Sequence, residues 1–321
     1  MNIVVRRLAA SLPRTDGAFG ADVIDGLSQT PKKLLPKYFY DSTGSQLFED
    51  ITRLPEYYPT RTELGILHDH AAAMAGLMPR GAALIEFGAG SALKAKILLE
   101  AAPHIAAYVP VDISAEFLAD EASKLERDIP RVSVHPVAAD FTLPFALPAP
   151  VRAKPRVGFF PGSTIGNFEP AEATAFLRQA GEVLGPGAYF IVGADRMKDE
   201  AVLHAAYNDA AGVTAQFNLN LLTRINRELG GDIDVASFRH FAKYNRKLAR
   251  IEMHLESRAA QAVNVLGRKF AFKSGETIHT ESSHKFTVRS FSKLARDAGW
   301  TVTDVFSDER DYFSVYVLRQ N

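Results

Sequence analysis

Four segments that each follow a short apolar run contain the residues best suited to chemistry. Gly88-Ala89-Gly90 follows Ala83–Phe87, and its lack of side chains lets backbone approach a nucleotide-like ligand. Asp112, 22 residues beyond Gly90, is placed to accept both hydroxyls of a ribose. Asp140 can accept an exocyclic amine, and Phe141 beside it can cover an adenine. The segment 159–168 adds two glycines and Asn167, which would face the group that reacts with the ligand.

The glycine turn itself distinguishes two cofactor classes. A dinucleotide fold requires a third glycine three residues after Gly90, and that position holds Leu93. The pattern Glu86-x-Gly88-x-Gly90 instead resembles the first motif of S-adenosylmethionine (SAM) methyltransferases, whose cofactor has no phosphate. Simpler interpretations stay open: an ordinary strand-to-helix turn here, helix caps at Asp112 and Asn167, and a turn residue at Asp140.

Other chemistries have little support in the sequence. His68 and His70 lie two apart in a predicted helix and point away from each other, so we expect no metal site. The sequence contains no cysteine, no Gly-x-Ser-x-Gly elbow and no P-loop. Its 37 basic and 37 acidic residues balance, which predicts no nucleic-acid or membrane partner, and the basic run 243–250 is expected to be a solvated face. We expect a cytoplasmic protein.

Strands and helices must position these residues, and the sequence alternates apolar runs with helical patterns. These patterns predict an α/β fold with a seven-stranded, doubly wound, mostly parallel sheet that ends in an antiparallel edge. The expected strands are 83–87, 107–111, 132–137, 156–160, 188–193, 301–306 and 313–318. The expected helices of this domain are 91–102, with Leu93, Ile97 and Leu98 on one face, and 114–127, 170–184 and 287–298.

The rest of the chain predicts further structure around this sheet. Asp41 or Ser42 is expected to cap a short helix that runs to Ile51, and Thr60-x-x-Glu63 to form a capping box for a helix to Leu77. Residues 199–286 predict two helices, 199–211 and 213–229, a β-like run in 249–255 and a hairpin near Ser274-Gly275. A connection of this length is expected to be an inserted domain.

Four segments together resemble one family over nearly the whole chain from about residue 30. They are PKYFYDSTGSQLFEDITRLPEYYPTRTE, EFGAGSALK, FFPGSTIGNF and HTESSHKF, and they are similar to the SAM-dependent histidine Nα-methyltransferases of ergothioneine biosynthesis. The resemblance implies a Rossmann-like methyltransferase domain at 60–198 and 287–321, and an α+β substrate-binding domain at 1–59 and 199–286. It also implies three methyl transfers from SAM to L-histidine, which give hercynine. We expect the enzyme to be a monomer.

Carried over position by position, the resemblance assigns a role to each motif residue. Cofactor contacts are implied at Tyr40, Gly88, Lys94, Asp112, Asp140 and Phe141. Contacts to the amino acid are implied at Tyr57, Gly162, Asn167, Tyr207, Met253, Glu281 and Ser283. Among these, Glu281 and Ser283 would hold the imidazole and Met253 would line its pocket, while Asn167 and Tyr57 would be the catalytic contacts to the amine. His284 stands where the family pattern leads us to expect a small residue.

Two alternatives to histidine methylation follow from the same residues. A related SAM-dependent N-methyltransferase would act on another amino acid or small amine, which a panel of amines would reveal. A Rossmann oxidoreductase would bind a nicotinamide cofactor instead of SAM, against the indication of Leu93. A scaffold without activity would not explain polar residues at the end of each parallel strand.

Overall fold

A computed structural model describes residues 15–321, which form two compact units. The first unit comprises Pro59–Met197 and Lys285–Asn321, and the second comprises residues 15–58 and Lys198–His284. The part of the predicted substrate domain that falls on residues 1–14 lies outside the described residues. Strands are numbered β1 to β14 and helices α1 to α9 in chain order below. No helix in the described range has the length and apolar character needed to cross a membrane.

The first unit is built on one twisted sheet with helices on both faces. Its strands are β2 (Ala83–Phe87), β3 (Ala107–Asp112), β4 (Ser133–Val134), β5 (Val137–Ala138), β6 (Arg156–Phe160), β7 (Tyr189–Asp195), β13 (Trp300–Ser307) and β14 (Phe313–Gln320). Its helices are α3 (Tyr58–Leu77), α4 (Leu93–Ala101), α5 (Ala115–Asp128), α6 (Pro170–Leu184) and α9 (Val288–Asp297). The strand order is β13-β14-β7-β6-β2-β3-β4, and β5 also pairs with β3. Strands β2 to β7 pair in parallel, and β14 and β13 continue the sheet antiparallel from β7.

The predicted α/β fold is therefore confirmed, including its antiparallel edge. Both faces of the sheet are buried under helices, so every residue of β2 is buried, as a parallel strand requires. The predicted third strand, 132–137, is wrong as one element: it is divided into β4 and β5. Pro136 lies between the two pieces and has no N–H with which to continue the ladder.

The second unit combines helices with two smaller sheets. Its helices are α1 (Thr15–Ser28), α2 (Ser42–Thr52), α7 (Glu200–Tyr207) and α8 (Val213–Leu229). Its strands are β1 (Lys32–Lys33), β8 (Phe238–Asn245), β9 (Arg250–Ser257), β10 (Gln261–Val265), β11 (Arg268–Phe272) and β12 (Thr277–His284). One sheet has the order β1-β12-β9-β8, and β10 and β11 form a separate hairpin. Asp41 caps α2 as predicted, since its side chain accepts a hydrogen bond from the Gly44 N–H.

Local signals were wrong at three places in the chain. The helix predicted over 199–211 ends at Tyr207, because the Asn208 side chain bonds to the backbone of Ala242 and Asp209 accepts the first N–H groups of α8. The hairpin turn is at Leu266-Gly267, where φ is +51° and +74°, and β11 and β12 do not pair across Ser274-Gly275. The capping box at Thr60 is absent, since α3 already begins at Tyr58.

Two segments of the first unit, next to the ends of the long insertion, run side by side. Arg196 and Phe286 form an isolated parallel bridge. The Phe286 N–H donates to the Asp195 carbonyl at 2.8 Å, and the Met197 N–H donates to the Phe286 carbonyl at 3.0 Å. The segment that leads into Lys198–His284 and the segment that follows it are thus hydrogen-bonded to each other.

Candidate functional site

The turn after β2 has the conformation that a close backbone approach requires. Gly88 has a φ of +71°, and the N–H groups of Gly88 and Ala89 both donate to the Val111 carbonyl. A Cβ on Gly88 would lie 3.2 Å from the Phe141 ring, so a ring contacts the turn directly. A Cβ on Gly90 would meet no described atom within 4 Å. The turn is therefore closed on the Phe141 side and open at Gly90.

Leu93 does not face the core, contrary to the predicted helix face. Its side chain is 52% exposed, whereas Leu98 is fully buried. The amphipathic pattern placed it wrongly because α4 begins only at Leu93, at the exposed end of the turn. The third-glycine position of dinucleotide folds is thus filled by an apolar side chain that points to solvent.

Glu86 is buried beneath the same turn. The Tyr108 hydroxyl donates a hydrogen bond to its carboxyl group. Burial raises the pKa of Glu86 to about 8, and the hydrogen bond from Tyr108 and the charge of Lys94 only partly oppose that shift. The acid of the Glu86-x-Gly88-x-Gly90 motif is thus a neutral or weakly ionised core group near pH 7.

Asp112 ends β3 at the same sheet edge and does not cap α5. Its Oδ1 accepts a hydrogen bond from the Ser114 N–H at 2.8 Å, while the N-cap position of α5 is Ser114. Burial raises the pKa of Asp112 to about 6, against the lowering effect of its backbone hydrogen bonds. A half-buried carboxylate in this place can accept hydrogen bonds from a ligand.

Asp140 and Phe141 lie at the next strand end. Asp140 Oδ1 accepts from the Thr142 N–H and hydroxyl, so its role in a turn is established. Phe141 packs edge-on against Phe160, with ring centroids 5.6 Å apart. The Phe141 ring therefore lies against the glycine turn, while the Asp140 carboxylate bonds within its own turn, to Thr142.

The loop after β6 has two consecutive residues in the left-handed region. Gly162 has a φ of +80° and Ser163 a φ of +58°, and the Ser163 hydroxyl accepts from the Asp195 N–H at 2.9 Å. Asn167 ends a short 3-10 helix at 164–167 and does not cap α6, whose N-cap is Glu169. Asn167 makes no side-chain hydrogen bond with the residues that the structure describes. Its amide is thus available for a ligand.

Lys94 has a buried carboxylate partner that sequence reasoning missed. Its Nζ lies 2.6 Å from Glu63 Oε2, and the Gly162 N–H donates to both oxygens of the same carboxylate. Glu63 was predicted to close a capping box with Thr60, which is wrong. The available signal was its place on α3, at a position that faces the sheet together with Leu67.

A second buried ion pair also escaped prediction. Lys285 Nζ lies 2.7 Å from Asp195 Oδ2, and the two side chains are 0% and 1% exposed. Lys285 belongs to the HTESSHKF segment that carries the resemblance, but the resemblance assigned it no role. The pair fixes the end of β7, where the Asp195 N–H also holds Ser163.

In the second unit, three predicted residues share one face of a sheet. Glu281 is opposite Met253 in the β12–β9 register, and Ser283 follows two residues later on the same strand. A register shift between His279 and Glu281 places Glu281, and not Thr280, opposite Met253. All three side chains are buried. The structure thus groups a carboxylate, a hydroxyl and a thioether.

Tyr207 joins this group from α7. Its hydroxyl donates to Ser283 Oγ at 2.8 Å. The backbone behind it is fixed to β8: the Tyr207 carbonyl accepts from His240 Nε2, and His240 Nδ1 accepts from the Asn218 amide. Burial lowers the pKa of His240, which favours the neutral ring.

A row of aromatic rings connects the two remaining predicted residues to Tyr207. Tyr57 packs edge-on against Tyr207 with centroids 6.3 Å apart, and against Phe48 on its other side. Phe48 in turn packs against Tyr40, with centroids 5.7 Å apart. The predicted cofactor contact Tyr40 therefore lies in the second unit, in the same row of rings as Tyr57 and Tyr207, which are predicted to contact the amino acid.

The predicted site residues thus form two groups, one in each unit. Those of the first unit are Gly88, Lys94, Asp112, Asp140, Phe141, Gly162 and Asn167. Those of the second unit are Tyr40, Tyr57, Tyr207, Met253, Glu281 and Ser283. Within the described part of the chain, no cluster of His, Asp or Glu has the arrangement of a metal site. His70 instead stacks on Phe306.

This chain is similar to several known proteins. A family described as "Histidine-specific methyltransferase, SAM-dependent" matches residues 19–320. Histidine N-alpha-methyltransferase of Mycobacterium tuberculosis is 41% identical over 303 residues, covering 93% of this chain and 94% of that protein. The protein of the same name from Mycolicibacterium smegmatis is 40% identical over 305 residues, with the same coverage. A SAM-dependent methyltransferase structure from Clostridium acetobutylicum covers 87% of this chain and 100% of that chain, at 11% identity and a TM-score of 0.49.

Proposed function

The chain belongs to the histidine-specific, SAM-dependent methyltransferases, and we propose that it transfers three methyl groups to the α-amino group of L-histidine, giving hercynine. The protein is thus an enzyme, a SAM-dependent N-methyltransferase that acts in ergothioneine biosynthesis on a small-molecule substrate. The observation that carries the choice of histidine is the buried group of Glu281, Ser283 and Tyr207.

The first unit has the features that a SAM molecule requires. The open side of Gly90 leaves room for a ligand against backbone, and the glycine turn carries no bulky side chain. Asp112 can accept the ribose hydroxyls, and Phe141 can cover the adenine beside Asp140. An ammonium has three N–H donors, so Lys94 can bind the carboxylate of the cofactor while it pairs with Glu63. SAM would supply a sulfonium methyl group, whose S–C bond breaks as the N–C bond to the amine forms, and S-adenosylhomocysteine would be the leaving group.

The second unit has the features that an imidazole requires. Glu281 can accept one ring N–H, and the Ser283 hydroxyl, itself held by Tyr207, can bond the other nitrogen. Met253 offers a polarisable surface to the ring from the opposite strand. An amino acid without a ring N–H would lose this bond to Glu281, which disfavours such substrates.

The chemistry then depends mainly on positioning. An α-ammonium group is largely protonated near neutral pH, so it must lose a proton before its lone pair can attack. Asn167 and Tyr57 can accept a hydrogen bond from the amine and orient it, while water removes the proton. Holding the amine in line with the methyl group supplies much of the rate acceleration.

Mass spectrometry of a single reaction tests this proposal. Purified protein incubated with SAM and L-histidine should give mono-, di- and then trimethylated histidine, in proportion to the SAM consumed. A panel of other amino acids and small amines, at equal concentration, serves as the control. Accumulation of a monomethyl product alone would contradict the threefold transfer, and faster turnover of another amine would contradict the choice of substrate.

A further inference from the structure

We propose that Glu63 is a positioning residue for methyl transfer. Its carboxylate holds the Lys94 side chain by an ion pair and the Gly162 backbone by hydrogen bonds. The proposal rests on the proposed function, in which Lys94 contacts SAM and Gly162 contacts the amino acid. Glu63 itself is fully buried and is not among the residues proposed to contact either ligand. Its role would therefore be to fix two ligand-binding groups against each other.

The Glu63 carboxylate makes three polar contacts. The Gly162 N–H donates to Oε1 at 3.0 Å and to Oε2 at 2.8 Å. Lys94 Nζ lies 2.6 Å from Oε2, and the Lys94 side chain keeps 16% exposure. Charge-assisted bonds of this kind are roughly twice as strong as neutral ones. One carboxylate thus bridges α4 and the loop after β6.

The backbone around Glu63 is shaped to receive a carboxylate. A Cβ on Gly193, in β7, would overlap the Glu63 carboxylate, so only glycine leaves that space free. Gly162 has a φ of +80°, the backbone conformation in which its N–H points at Glu63. An ionised group buried without partners would cost several kcal/mol, and these contacts offset that cost. Gly193 therefore leaves room for the Glu63 carboxylate, and Gly162 donates a hydrogen bond to it.

Glu63 holds one end of the loop after β6, at Gly162. On the other side the Ser163 hydroxyl is held by the Asp195 N–H. Asn167 follows a few residues later in the same loop, as the proposed contact to the amine. Because a shift of about 1 Å in a reacting group can cost a factor of about a hundred in rate, the anchor at Gly162 matters for catalysis.

A double-mutant cycle between Glu63 and Lys94 tests the cofactor half of this role. Glu63→Gln keeps an oxygen that can accept from Gly162 but loses the charge that pairs with Lys94. We expect it to raise the dissociation constant of SAM about tenfold by calorimetry. In a Lys94→Met background the same change should add less than about twofold, since Glu63 acts on SAM through Lys94. Asp69→Asn, exposed on the same helix, is the matched control.

A second pair of variants tests whether Glu63 positions the loop after β6 through Gly162. Glu63→Ala removes the acceptor for Gly162, and Gly193→Ala displaces the carboxylate without changing the acid. Both should lower kcat and raise the dissociation constant of histidine, and Glu63→Gln should change histidine binding least. These effects should persist in the Lys94→Met background. Should Glu63→Ala or Gly193→Ala fail to fold, the Glu63→Gln cycle alone decides the proposal.

Two results would overturn the positioning role. One is additive loss of SAM affinity in the cycle, and the other is a lowered melting temperature in Glu63→Gln with both dissociation constants unchanged. The wild-type methylation assay separates this from the proposed function. A wild-type protein that does not methylate histidine refutes that function, whereas an active wild type with an additive cycle refutes only the role of Glu63.

Discussion

Glu281 is the residue on which substrate choice depends in this proposal. Glu281 is 8% exposed and shares a sheet face with Met253 and Ser283. A hydrogen bond to a charged group contributes about 1.5–3 kcal/mol, so Glu281→Ala should weaken histidine binding by about tenfold to a hundredfold. SAM affinity should change less than about twofold, because the predicted cofactor contacts lie on other residues. Calorimetry with each ligand measures both values.

Glu256→Gln provides the control for that variant. Glu256 lies on the neighbouring strand β9, where its side chain pairs with the exposed Arg239. It should leave both affinities unchanged. Equal loss of SAM and histidine binding in Glu281→Ala would contradict the assigned role of Glu281.

Asp112 gives a pH dependence to cofactor binding. Burial raises its pKa to about 6, and only the ionised carboxylate can accept both ribose hydroxyls. SAM binding should therefore weaken as the pH falls through 6, by about tenfold between pH 7.5 and pH 5. Asp112→Asn should bind SAM more weakly at pH 7.5 and lose this dependence. Titration calorimetry at several pH values would show it, and parallel profiles for the two proteins would contradict the assignment.

The turn between β2 and α4 contains one glycine that its backbone conformation requires, Gly88, and one that we expect to lie beside the ligand, Gly90. Gly88→Ala places a Cβ at a φ of +71° against Phe141, which costs about 1–2 kcal/mol of backbone strain. Its melting temperature and its SAM affinity should both fall. Gly90→Ala adds a methyl group into space that holds no described atom within 4 Å.

Gly90→Ala should therefore keep the wild-type melting temperature and lose only SAM affinity. Thermal unfolding and calorimetry on both variants separate the two effects. Unchanged SAM binding in Gly90→Ala would show that the open side of the turn is not where the ligand lies.

Strand β2 also carries a cost in stability that depends on pH. The folded pKa of Glu86 is about 8, above the usual 4.5, so between these values the folded protein binds more protons than the unfolded chain. Its contribution to the free energy of unfolding must fall as the pH rises, by up to about 1.4 kcal/mol per pH unit. Glu86→Gln removes this slope while an amide oxygen still accepts from Tyr108.

Urea unfolding of both proteins between about pH 5 and pH 8 measures this difference. Glu86→Gln should gain stability relative to the wild type as the pH rises. The same slope for both proteins would contradict a buried, largely neutral Glu86.

How far the elements could be predicted depended on where their determinants lie. α6 has its bounds as predicted, because Pro170 and Glu172 at its start are local signals. α3 was given the wrong start because Glu63, which completes the apparent capping box, bonds to Gly162, 99 residues away. The motif residues could be found from the sequence, but the ion pairs of Glu63 and Asp195 depend on long-range contacts with no local pattern.

For the whole molecule, we propose that one chain suffices for activity. Every residue proposed to contact SAM or histidine comes from this chain, so no second copy is needed to complete the set. Light scattering after size exclusion should give a mass near 35.1 kDa. Activity per molecule should stay constant on dilution, whereas a fall in specific activity at low protein concentration would contradict a monomeric enzyme.

The bridge between Arg196 and Phe286 limits how this enzyme could be shortened. Parallel strands cannot be joined by a tight reverse turn, since the chain must travel back along their length, which takes about a dozen residues or more. Lys198–His284 is therefore the chain path that joins these two parallel segments, and it forms the larger part of the second unit. A minimal methyl-transfer catalyst cut from this chain would have to retain a helix-length spacer there. A redesign of amine recognition would therefore have to exchange Lys198–His284 between these fixed ends together with residues 15–58, which carry Tyr40 and Tyr57.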